Sequence, residues 1–189
     1  VGDTIYNVPA GEFSVVVKDV CGDSIQQSIT VTQPQKLSVQ KSIEHVSCFG
    51  QSDAEVVINP EFGVKPYSIT WEGTQTGFEL INIAADTIAY KVVDACNDTI
   101  LDTVKISQPE QLSLSVVAKN VSCFGEGDGQ IDVAASGGTA PYIYNWNIGI
   151  QTSSLKSVFA NKYTVNVFDV NACLLTQEVL ITQPEELSL

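Results

Sequence analysis

Five cysteines are the side chains whose type and spacing could do the most chemistry in this 189-residue chain. Cys48 and Cys123 each stand in the word Val-Ser-Cys-Phe-Gly, one repeat interval apart (123 − 48 = 75). Cys21, Cys96 and Cys173 fall in short turns reading "DVCGD", "DACND" and "DVNAC". Zinc has no ligand set, because no Cys-x-x-Cys occurs and His45 is the sole histidine. Paired spacing in a small repeated unit points to a disulfide framework in preference to reduced thiols. The expected bonds are Cys48 with Cys96 and Cys123 with Cys173, each inside its own unit. Cys21 is left unpaired, its partner expected upstream of Val1 (48 − 75 = −27). Six strands in simple up-and-down order would bring the two sulfurs of a unit to one end, whereas seven would put them at opposite ends. A bond closing the 48-residue loop (96 − 48) would restrain the unfolded chain by about 4 kcal/mol, comparable to the whole stability of so small a unit.

The carboxylates are the second candidate set. Asp53 and Asp128 lie in the Gly- and Ser-rich loops "CFGQSDA" and "CFGEGDG", and Asp94, Asp98 and Asp169 lie in the cysteine turns. Hard oxygen ligands gathered at one end could hold calcium. Asp and Gly are equally the ordinary residues of turns, which is the favoured reading, and no cofactor is expected. His45 is matched by Asn120 one unit on, and no nucleophile motif accompanies it, so the chain reads as non-enzymatic.

These residues must be positioned by repeated elements. "VTQPQKLSV" (Val31 to Val39), "ISQPEQLSL" (Ile106 to Leu114) and "ITQPEELSL" (Ile181 to Leu189) place Pro34, Pro109 and Pro184 at equal intervals (109 − 34 = 75; 184 − 109 = 75). Residues 1–34 read as the C-terminal part of a truncated repeat. Residues 35–109 and 110–184 read as full repeats, and 185–189 as the start of another. Phe13, Val15 and Val17 match Ile88, Tyr90 and Val92, then Tyr163, Val165 and Val167, alternating with smaller or polar residues at the period of a half-buried strand. Further short strand-like runs are bounded by Gly, Asn and Asp, and no stretch has helical periodicity. The expected fold is all-β: tandem small immunoglobulin-like antiparallel β-sandwiches with about six or seven strands per repeat. Trp71 and Trp146 each close a Pro-Tyr strand, the third of their units, and read as core packing over sugar-stacking platforms. Leu187 to Leu189, with no full unit behind them, are expected exposed, and Leu112 and Leu114 buried.

The net charge is −13 and all nine basic residues are lysine. Nucleic-acid and phosphate readers depend on arginine forks and basic patches, so neither partner is expected. No apolar run of the ~18 residues a membrane helix needs occurs, and no membrane insertion is expected.

At "VSCFG…GDG…GGTAPYIYNW…YTVNVFDVNAC…ITQPEELSL" the third unit resembles the SprB repeat, a tandem module of very large cell-surface adhesins of gliding Bacteroidetes. Cys123, Pro141, Tyr142, Trp146, Asp169, Cys173 and Gln183-Pro184 carry the resemblance. The middle unit departs at Asp53-Ala54, where the pattern has Asp-Gly, and at Ala95-Cys96, where its turn reads as two residues shorter (173 − 96 = 77). The resemblance implies a secreted filament on the outer face of the outer membrane, exported by the type IX system. It implies movement by the gliding machinery through other parts of the parent, and adhesion to a substratum or surface polysaccharide. Neighbouring repeats are the expected intramolecular partners. The alternative is a carbohydrate- or ligand-binding module acting through the loops Glu72 to Glu79 and Asn147 to Ser154, which differ most between units. Asp-Ser/Thr-aliphatic words starting at Asp3, Asp23, Asp86, Asp98 and Asp102 are similar to the O-glycosylation acceptor of Bacteroidetes and point to Thr4, Ser24, Thr87, Thr99 and Thr103. As a plain alternative, each word starts a strand. Asn97 and Asn120 head Asn-x-Ser/Thr sequons that carry little meaning in a bacterial chain.

Overall fold

The structure, a computed structural model, describes residues 4–73 and 75–188. Asp3, Thr74 in the Glu72 to Glu79 loop, and Leu189 lie outside the described residues. Fourteen strands and no helix are described: β1 (Gly11–Lys18), β2 (Ser24–Val31), β3 (Ser38–Glu44), β4 (Ala54–Glu61), β5 (Ser68–Trp71), β6 (Glu79–Ile83), β7 (Thr87–Val93), β8 (Thr99–Lys105), β9 (Ser113–Lys119), β10 (Gly129–Ser136), β11 (Ile143–Trp146), β12 (Ser154–Val158), β13 (Asn161–Phe168) and β14 (Leu174–Ile181). No helix among the described residues is long and apolar enough to cross a membrane.

Each full repeat has six strands in two three-stranded sheets: β3-β4-β6 with β5-β7-β8, then β9-β10-β12 with β11-β13-β14. This is the seven-strand immunoglobulin layout with its fourth strand missing. The chain divides into two compact units, one of Val1–Gln40, Asn59–Gly77 and Tyr90–Asp102, the other of Lys41–Ile58, Phe78–Ala89 and Thr103–Leu189, so the residues of the middle repeat are shared between them.

The third repeat shows how the pattern folds. Period-two alternation sends Ile131 and Val133 of β10, Val165 and Val167 of β13, and Val179 and Ile181 of β14 into one core around Trp146, and Leu155 and Val158 of β12 join it across an irregularity in the β10–β12 register. The Trp146 indole is buried and donates from Nε1 to Thr152 O at 2.8 Å. Trp71 is buried likewise, donating to Gly77 O at 2.8 Å and lying 5.4 Å, centroid to centroid, from Tyr90. Both are packing residues. Tyr163, at the start of β13, donates from its hydroxyl to Phe159 O at 2.9 Å, the corner bond that immunoglobulin-like sandwiches make at that place.

The path is not simple up-and-down. After Trp146 the chain reverses through a tight turn, with Gly149 N bonded to Trp146 O and Trp146 N to Ile150 O, both at 2.9 Å, and runs back before β12 starts. That extra reversal sends the repeat's two termini to opposite ends. At the leading end Gly138 N donates to Glu110 O (2.8 Å), and Val170 N to Thr139 O (3.0 Å). At the trailing end Val121 N donates to Thr182 O (3.2 Å), and Gly125 N to Gln183 Oε1 (3.1 Å). The Cys123 loop therefore sits at the trailing end, and the β13–β14 turn that holds Cys173 sits at the leading end.

β1 and β2 pair in the register of β13 and β14: Gly11 opposes Val31 as Asn161 opposes Ile181, two repeat intervals on at both positions (161 − 11 = 150; 181 − 31 = 150). Leu187 is fully exposed. Leu112 and Leu114, expected to be buried, are only half-buried, although Leu37, which matches Leu112, is buried.

Candidate functional site: the joint between repeats

Two loops meet where the middle repeat hands on to the third. The Ser47-Cys48 loop is set by Asp53, whose carboxylate accepts from Ser47 N at 3.1 Å and from the Ser47 hydroxyl. The hydroxyl bond is the main cause, and the backbone bond the second, that hold the Asp53 carboxyl below its ordinary pKa. Gly50 N donates to Gln108 Oε1 at 2.8 Å, tying the loop to the Gln-Pro connector.

The opposing turn is built on a buried carboxylate. Asp169 Oδ1 accepts from Asn171 N and Cys173 N, both at 2.9 Å, and Oδ2 from Thr139 N at 2.8 Å. Gly138 makes room for this: at φ +57 it occupies the left-handed region, and a Cβ there would stand 2.7 Å from Asp169 Oδ2. Asp94 repeats the arrangement, with Cys96 N and Asp98 N on Oδ1 and Val64 N on Oδ2, at 2.8 to 2.9 Å. The Val64 bond above all, helped by the other two against the opposing effect of burial, lowers the Asp94 carboxyl below its ordinary pKa.

Cys48 is bonded to Cys173 across the joint, with a Cα separation of 5.7 Å, inside the range a disulfide spans. Asn171 Nδ2 donates to Ser47 O at 3.0 Å, and Cys173 Sγ lies 3.5 Å from the same oxygen. A cleft beside the bond is lined by Phe49, Gln51, Glu110, Leu112 and Leu174.

This overturns the expected pairing. Cys48 does not bond Cys96, Cys123 does not bond Cys173, and Cys21, Cys96 and Cys123 are all free and exposed. The reason is topological: in the third repeat the reversal after Trp146 puts the first-loop cysteine and the turn cysteine at opposite ends, so a bond within the repeat has no path. The turn itself is not shortened in the middle repeat. Asp19, Asp94 and Asp169 are spaced evenly (94 − 19 = 75; 169 − 94 = 75), and each binds the amides two and four residues on. What differs is the slot: Cys21 and Cys96 stand two residues after the aspartate, and Cys173 stands four after it.

The calcium set Asp53, Asp94, Asp128 and Asp169 is not brought together. Within the third repeat Asp128 binds Ser122 N (2.8 Å) at the trailing end, and Asp169 serves the leading end. The Ser122 N–H is the largest of the influences lowering the Asp128 carboxyl. No group of three or more His, Cys, Asp or Glu that could hold a metal occurs among the described residues. Each carboxylate instead accepts from backbone amides, joined at Asp53 by the Ser47 hydroxyl and at Asp128 by the Lys119 ammonium, a role generic turn chemistry concealed. Sequence reasoning also missed His45 and Asn120, which do the same work in their repeats: His45 Nδ1 accepts from Ser107 N at 3.2 Å, and Asn120 Oδ1 from Thr182 N at 3.0 Å. Ala54 is fully buried at the place of Gly129, so the departure from Asp-Gly is absorbed and both loops keep one design.

Titration of the denatured, unreduced protein should find three thiols, and a peptide map should join Cys48 to Cys173 and label Cys21, Cys96 and Cys123. A single thiol would restore the within-repeat pairing.

Six-strand sandwiches in series define a tandem β-sandwich repeat protein. The SprB repeat model matches residues 41–76 and 115–149, one stretch in each full repeat, as the resemblance implied. Both matches span the Ser-Cys loop and the core tryptophan and stop before the turn cysteine. No match is found among the curated proteins.

Proposed function

We propose that the chain is a non-enzymatic section of a cell-surface adhesin filament, in which disulfide-fastened sandwiches space or form the extended part used in adhesion and gliding. The observation that carries this reading is the Cys48 to Cys173 bond, which fixes one repeat to the next at the point where a spacer would otherwise flex. A disulfide also suits an oxidising, extracellular setting, in keeping with the secreted, outer-surface location and type IX export that the SprB resemblance implies. Thr4, Ser24, Thr87, Thr99 and Thr103 are all exposed, as acceptors of surface sugar must be. The remaining partners on this reading are neighbouring repeats, a substratum or polysaccharide, and the gliding machinery through other parts of the parent.

The second reading, a glycan-binding module, draws on the Asn147 to Ser154 loop, where Ile148 and Ile150 are exposed. The buried indoles of Trp71 and Trp146 take the usual stacking platforms away from it. A glycan array probed with the 189-residue chain decides between them. The spacer reading expects no selective binding; selective binding abolished by exchanging the two variable loops would overturn it in favour of the module.

A further inference from the structure

We propose that the bond at the joint is one of a series, and that Cys123 and Cys96 are its open halves: Cys123 is the attachment site for the turn cysteine of a following repeat, and Cys96 for the Ser-Cys loop of a preceding one.

The trailing end of the third repeat is built as the trailing end of the middle repeat is. Ser122 N bonds Asp128 as Ser47 N bonds Asp53 (2.8 and 3.1 Å). Gly125 N bonds Gln183 as Gly50 N bonds Gln108 (3.1 and 2.8 Å). Glu126 N bonds Cys123 O as Gln51 N bonds Cys48 O (3.2 and 3.1 Å). The loop that holds Cys48 against its partner is thus already assembled around Cys123, whose thiol is exposed. Phe124 is exposed to the same 48% as Phe49, which lines the occupied joint.

The leading end of the middle repeat matches that of the third in the same way. Gly63 N bonds Gln35 O as Gly138 N bonds Glu110 O (2.9 and 2.8 Å), and Ala95 N bonds Val64 O as Val170 N bonds Thr139 O (2.8 and 3.0 Å). Cys96 occupies the slot that Asn171 fills in the third repeat, and Asn171 reaches Ser47 O of the preceding loop. Both turn slots therefore face the loop that carries the partner sulfur.

The chemistry is a two-electron oxidation. With a disulfide such as oxidised glutathione, one cysteine thiolate attacks a sulfur and releases one glutathione thiolate. The second cysteine then displaces the other glutathione, so two thiols give one protein disulfide and two reduced glutathiones.

Two lengthened chains test this in a glutathione redox buffer, each digested unreduced and mapped by mass. In the first, residues 110–184 are repeated once after Pro184. A peptide joining Cys123 to the turn cysteine of the added repeat, beside the Cys48 to Cys173 peptide, is expected. In the second, a duplicate of residues 35–75 precedes Val1 and completes the first repeat. Its Ser-Cys cysteine is expected on Cys96. A Cys123 that bonds Cys173 or stays alkylatable overturns the proposal. So does a Cys96 that stays free, an added cysteine that bonds Cys21 within its own repeat, or loss of the Cys48 to Cys173 bond on which the series rests. The outcome is independent of adhesion: glycan binding would overturn the spacer reading and leave the bond map untouched.

Discussion

Replacing Asp169 by alanine should destabilise the third sandwich by roughly 3 kcal/mol, about 1 kcal/mol for each of the three backbone donors left without an acceptor. That is a large share of the margin, on the order of 10 kcal/mol, by which a folded domain outlasts its unfolded chain. The effect is concentrated because one carboxylate, only 3% exposed, fastens two separate segments: the turn it heads, and the connector after β10 through Thr139. Asp169→Asn should recover only part of the loss, since its amide NH2 would face the Thr139 N–H, donor against donor. Hydrogen exchange of the β13 and β14 amides, measured against those of β5 and β7, checks it; a loss under ~1 kcal/mol would mean that water replaces the carboxylate.

Trp146→Ala should cost more, about 3 to 5 kcal/mol, because it empties the centre of the core and strips Thr152 O of its indole partner. Urea unfolding followed by circular dichroism should show a lowered midpoint, and a Trp146→Phe variant should sit between the two. A shift within ~1 kcal/mol would mean that the neighbouring valines collapse into the space.

The periodic features were legible in the sequence. The three Gln-Pro connectors set the repeat length, the Phe13, Ile88 and Tyr163 series marked a half-buried strand, and the Pro-Tyr…Trp words placed the core tryptophans. The pairing of the cysteines was not legible, because it depends on which end of the sandwich each loop reaches. That in turn depends on a reversal made by the loop after Trp146, which has no strand-like alternation to betray it. Aligning the turns on Asp19, Asp94 and Asp169 in place of their cysteines would have shown the slot change. Leu112 shows the other limit: alternation marks it for the core, yet it is spent on the cleft beside the sulfur bond.

Pulled from either side, this chain does not carry load along its whole contour. Force that reaches Cys48 crosses directly to Cys173, and the backbone between them, from β4 to β13, stays slack. The bypass spans 125 residues, which fully extended would measure about 400 Å. That length is locked away from stretching for as long as the sulfurs remain joined, so tension falls first on β1, β2, β3 and β14, the strands outside the bypass, and the strands from β4 to β13 can be drawn out only once the bond is reduced.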